Sequence, residues 1–160
     1  MYLMDWLCDY ERRCLHGGWD VFVPVGARRR VSGRRPGLGW GIDLTFLAKD
    51  GEIMVLAGPL GPPGRRFPGG FRASGEGSGA VASHPSRRDV ETAFDEALRD
   101  LVDTLDKIAQ AHRPSRLSVV FQGGEGLVLP KWFFDEMKRR GIDIVVLDPE
   151  SGEAKSVLLT

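Results

Sequence analysis

The chain has 160 residues with 22 basic and 22 acidic side chains, so its formal charge is zero and the balance by itself argues for no particular partner. That length suits one ordinary domain, and 42% hydrophobic residues suit a folded core rather than disorder. No segment approaches the roughly 20 apolar residues needed to span a bilayer, which excludes a membrane-spanning helix.

The charge is spread unevenly. Residues 21–75 carry nine Arg or Lys against three acids, and residues 76–112 carry eight acids against four bases, which predicts a basic first half and an acidic helix. The start of the chain lacks the basic opening and continuous apolar run of a secretion signal, so the expected location is cytoplasmic.

In chain order, Leu3, Trp6, Leu7, Tyr10 and Cys14 recur at three- and four-residue steps and predict an amphipathic helix that ends before Gly17-Gly18. Cys8 and Cys14 stand six apart on it, more than one turn, which disfavours a bridge. Residues 19–25 alternate partly as a strand, with Pro24 demoting it to a sheet edge. Residues 40–48 form the next strand, Lys49-Asp50-Gly51-Glu52 a tight turn, and residues 53–57 an antiparallel return, because Asp-Gly flanked by apolar runs is a favoured hairpin signal.

Residues 58–79 are so dense in glycine and proline that a long Gly/Pro/Arg-rich loop is expected, with a short strand after it at residues 80–83. Ser86 and Asp89 then open a long helix whose apolar face is Val90, Phe94, Ala97, Leu98, Leu101, Leu105 and Ile108, stopped by Arg113-Pro114. Residues 116–148 read as strand, glycine-bearing loop, helix and strand. The helix starts at Pro130 and is capped by Gly141, and it supplies the crossover that a parallel pair of strands at 117–121 and 142–147 requires. Residues 154–159 are a candidate last strand. The expected fold class is therefore a single α/β domain with a mixed sheet, antiparallel first and ending in a parallel βαβ unit.

No residue set has the types and spacing of a recognised catalytic or metal site. The loop Gln122-Gly123-Gly124-Glu125-Gly126 sits where α/β proteins bind phosphates, but it lacks a dinucleotide or P-loop glycine pattern, and Glu125 would repel an anion. His16, His84 and His112 lack the four-residue spacing of a zinc pair. Arg28, Arg29, Arg30, Arg34 and Arg35, with Arg65 and Arg66, form basic clusters suited to an acidic protein face or to phosphates. No interleaved aromatics provide the stacking platform of single-strand binders, so a protein partner is favoured over nucleic acid.

Two resemblances bear on function. The order of elements over about residues 40–150 resembles the ribonuclease H-like nucleases, which implies an alternative in which Asp43, Glu91, Glu125 and Asp148 gather around Mg2+. Gln122-Gly123-Gly124 stand where such enzymes carry an acid. Separately, Trp6-Leu7, Tyr10, Cys14, Gly18-Trp19, Pro36-Gly37, Trp40 and Ile42-Asp43-Leu44-Thr45 resemble the opening of the immunity protein 53 family of bacterial polymorphic-toxin systems. That resemblance implies a cytoplasmic, non-enzymatic protein without a cofactor that binds and blocks a toxin.

Overall fold

The computed structural model describes residues 6–32, 41–61, 87–123, 128–148 and 150–157. The expected strand at 80–83, the cap at Ser86 and most of the 58–79 loop lie outside these residues. The chain order is α1 (Trp6–His16), β1 (Asp20–Phe22), β2 (Arg30–Ser32), β3 (Gly41–Lys49), β4 (Glu52–Gly61), α2 (Arg87–His112), β5 (Arg116–Gln122), α3 (Lys131–Arg140), β6 (Asp143–Leu147) and β7 (Ala154–Ser156).

Among the described residues the strands form one mixed sheet of seven, in the order β1-β3-β4-β5-β6-β7, with β2 also on β3. β3 and β4 are the expected hairpin: Lys49 pairs with Glu52, and Asp50 (φ 48°) and Gly51 (φ 83°) take the two left-handed positions of its turn. β5 runs parallel to β4 on one side and to β6 on the other, so the two strands joined by α3 are parallel neighbours as expected. β7 returns antiparallel on β6.

β4 is longer than its sequence suggests. It continues past Ala57 through Gly58 to Gly61, so the loop begins later than residue 58. The ladder absorbs Gly58 and Pro59 by a register shift: Leu44 faces Ala57 but Ile42 faces Leu60, which leaves two β4 residues opposite Asp43. A bulge tolerates the missing amide of proline where a regular ladder would not.

Each face of the sheet has its own cover. Ile42, Leu44, Phe46, Ile53, Val55, Ala57, Leu117, Val119, Phe121 and Ile144 pack against Ala97, Leu98, Leu101, Leu105 and Ile108 of α2 and Phe133 and Met137 of α3. The Phe121 and Phe133 rings meet edge to face at 5.8 Å. On the other face, Leu47, Met54, Leu56, Val120 and Leu147 lie under Leu7 and Cys14 of α1. The period-2 alternation of the strands meets a helical stripe on each side, giving three layers.

Local stops match their sequence signals. Gly17 and Gly18 (φ 97°) close α1, Arg113 (φ 45°) and Pro114 end α2, and Gly141 (φ 69°) caps α3 with its N–H on Lys138. Pro130 sits one position earlier than expected, as the N-cap of α3, and no side chain caps that end. No helix among the described residues is long and apolar enough to cross a membrane.

Candidate functional site

The three described acids of the nuclease alternative, Asp43, Glu91 and Asp148, are not brought together. Ile42 and Leu44 are buried beneath α2 and α3, so Asp43 between them points to the opposite face of the sheet, whereas Glu91 belongs to α2. β4 and β5 separate β3, which carries Asp43, from β6, which precedes Asp148. That is three interstrand steps of about 4.8 Å each. Glu125 lies outside the described residues. No group of three His, Cys, Asp or Glu with a metal-holding arrangement occurs among the described residues.

Asp43 and Asp148 each have a local partner instead. Arg30 and Asp43 stand directly opposite on β2 and β3, and Arg30 Nη1 donates to Asp43 Oδ1 at 2.6 Å. The approach is close because Gly41 leaves space: a Cβ there would lie 2.6 Å from the Val31 carbonyl oxygen and 3.1 Å from the Arg30 guanidinium. Asp148 Oδ1 accepts the Glu150 N–H at 2.8 Å, closing the turn into β7, and that bond holds its carboxyl below the usual range.

The end of β5 is likewise occupied by structure. Gln122 Oε1 accepts the Leu7 N–H at 2.9 Å, satisfying one of the orphan amides at the start of α1, and Gly123 N–H bonds to Leu147. The remaining loop, 124–127, is outside the described residues. The parallel strands β4, β5 and β6 follow one another in sequence order, and α2 and α3 pack on the same face. The strand order therefore never reverses, and the crevice where open α/β sheets hold ligands does not arise there.

The Cys14 thiol shows no activation. Neither Cys8 nor Cys14 is in a disulfide, and burial pushes the Cys14 thiol up, with Tyr10 beside it. Between α2 and α3 an open groove of about 540 Å³ is lined by Arg99, Trp132, Glu136 and Arg140 among others. Its arginines are engaged within the chain: Arg140 forks onto Asp106 at 2.7 and 3.0 Å and reaches Glu136 at 2.6 Å. Arg99 lies 4.4 Å above the Trp132 ring, whose indole N–H binds Asp95 at 2.6 Å.

The edge formed by β1 and β2 differs. Phe22 stands opposite Phe46, so a continuous strand would place residue 24 opposite Leu44; the Arg29 carbonyl takes the Leu44 N–H instead, and five residues are looped out. This knuckle, residues 24–28, is fixed at several points. Pro24 is buried and accepts the Ala27 N–H, Gly26 takes φ 77°, and Val25 N–H donates to His112 Nε2 at 3.3 Å. His112 also meets Phe22 edge to face at 5.6 Å.

Three valines stand out along this edge, Val21 at 54%, Val23 at 51% and Val25 at 72% exposed. Arg28 and Arg29 are exposed beside them, and no described carboxylate lies within ion-pair distance of either. Of the seven arginines singled out by sequence, Arg30 is thus committed to Asp43 and Arg28 and Arg29 are presented outward. Arg34, Arg35, Arg65 and Arg66 lie outside the described residues. Sequence reasoning missed the roles of the valines and of His112; Pro24 and Gly26 within an alternating run were the signal that the edge is interrupted.

Comparison of the chain with protein-family models, with curated proteins and with solved structures yields no match.

Proposed function

We propose that this protein is a non-enzymatic protein-binding module that blocks a bacterial toxin by covering it. The observation that carries this reading is the β1–β2 edge, where three exposed valines and two outward arginines lie on and beside an anchored knuckle. Apolar side chains exposed in a row beside charges without partners suit a protein interface better than a solvated surface. The scattering of Asp43, Glu91 and Asp148 supports the same choice, since metal-assisted cleavage needs oxygen ligands converging on one ion.

The test is growth rescue. Co-expression with toxin domains from polymorphic-toxin systems should restore growth for a cognate domain and give a complex that co-elutes in size-exclusion chromatography. Magnesium-dependent cleavage of RNA or DNA by the purified protein, abolished by Asp43→Asn, would overturn the reading in favour of the nuclease alternative.

A further inference from the structure

We infer that the β1–β2 edge, with its knuckle, receives an extended acidic segment of a partner protein in which carboxylates alternate with apolar side chains. This rests on the protein-binding reading above and adds to it the place and chemistry of contact.

Backbone geometry supplies the first argument. Leu44 N–H points to Arg29, and in an antiparallel ladder alternate residues direct their amides to opposite sides, so the even-numbered residues of β3 serve this edge. The hairpin agrees, because its closing pair, Lys49 and Glu52, uses an odd-numbered residue toward β4. Asp20 and Phe22, opposite Ala48 and Phe46, therefore bond inward, and Val21 between them turns its N–H and C=O away from the sheet. An incoming strand finds a donor and an acceptor there.

Side chains supply the second argument. Val21, Val23 and Val25 offer stiff apolar surface that loses little rotamer freedom on contact. Arg28 and Arg29 add two positive charges against one exposed carboxylate, Asp20 at the start of β1, and Asp43, which faces Arg30 across the ladder, is spent on it. Carboxylates on the partner complement that charge. The phosphates of a nucleic acid would as well, but the valines give them nothing to pack on, and among the described residues no aromatic ring stacks on either arginine to extend a platform for bases.

The third argument is preorganisation. The bond from Val25 N–H to His112 Nε2 and the turn from Pro24 to Ala27 hold the knuckle in one shape before contact, which lowers the ordering cost of binding. His112 is a positioning residue here, acting through the backbone of Val25.

The probe is a short peptide alternating valine with glutamate, titrated into the 15N-labelled protein beside its lysine counterpart and a DNA duplex. Amide shifts should move at residues 20–29 with the glutamate peptide. Arg28→Glu with Arg29→Glu should weaken binding roughly tenfold or more at low salt, with the difference shrinking as salt rises. Val21→Pro, at an edge position that proline tolerates, should weaken it by removing the outward amide. His112→Ala should weaken it too, and His112→Gln, whose amide oxygen can accept from Val25, should restore it.

Equal or tighter binding of the lysine peptide or the duplex overturns the inference, as do shifts confined to other surfaces or no shift at millimolar peptide. A toxin neutralised equally well by the double arginine variant and by Val21→Pro would also overturn it while leaving the protein-binding reading standing.

Discussion

The seam between α2 and α3 and the edge formed by β1 and β2 are built from the same kinds of residue and use them in opposite ways. In the seam every arginine has a destination. Asp106 and Glu136 share Arg140, Asp95 takes both Arg99 and the Trp132 indole, and Arg139 with Arg140 holds the Glu136 carboxyl below the usual range. At the edge, among the described residues, only Arg30 is paired, while Arg28 and Arg29 are exposed at the end of a knuckle whose backbone is tied down. Charge satisfied within the chain holds elements together, whereas charge left outward on a fixed backbone is available to something else.

The sharpest way to test that division is to ask what each region contributes to stability. Leu101→Ala or Leu105→Ala, beneath the seam and fully buried, should cost about 2–5 kcal/mol through lost transfer energy and a residual cavity, read as a fall in the denaturant midpoint. Gly41→Ala should cost about 1–3 kcal/mol, because the new methyl meets the Val31 carbonyl and β2 must move off β3. Hydrogen exchange should then quicken at Val31 and Ile42 ahead of the rest of the sheet.

Arg30→Ala removes a pair that is partly exposed on both sides, so screening by solvent limits the loss to about 1 kcal/mol or less in the same melts. Replacing Arg28 and Arg29 together by glutamate should move stability by no more than about 0.5 kcal/mol. A large fall there would mean that the knuckle arginines are structural after all and would erase the contrast between the two regions.

Asp148 gives the smallest effect and a pH signature. The Glu150 amide lowers its folded-state pKa, so its contribution to the β6–β7 turn is complete above the ordinary carboxylate range and is lost as pH falls through the depressed folded value. Chemical shifts of Glu150 and Gly152 should follow that titration in the wild type, and in Asp148→Asn the acid-dependent step should vanish.

What the sequence made legible was whatever depends on neighbours. The β3–β4 hairpin follows from Asp50-Gly51, the cap of α3 from Gly141, and the parallel pairing of β5 with β6 from the length of the crossover between them. The extension of β4 was hidden because Gly58-Pro59 read as loop, and only the partner strand reveals that a bulge accommodates them. The candidate site was less legible still. Arg30 and Asp43 belong to different candidate sites in the sequence, and nothing local shows that they face one another across a ladder. The tether from Val25 to His112 spans 87 residues, far beyond the reach of a periodicity argument.

Of the three described helices, α1 leaves the ribosome first and has its surroundings completed last. Its apolar stripe rests on Leu47, Met54 and Leu56 but also on Val120 and Leu147, and the acceptor for its Leu7 amide is Gln122, 115 residues downstream. An isolated 11-residue helix is marginal in water. During synthesis this segment must therefore wait, with Leu7 and Cys14 uncovered, until β5 and β6 have joined the sheet, and a nascent chain halted before residue 122 would expose a sticky stripe that chaperones and proteases recognise.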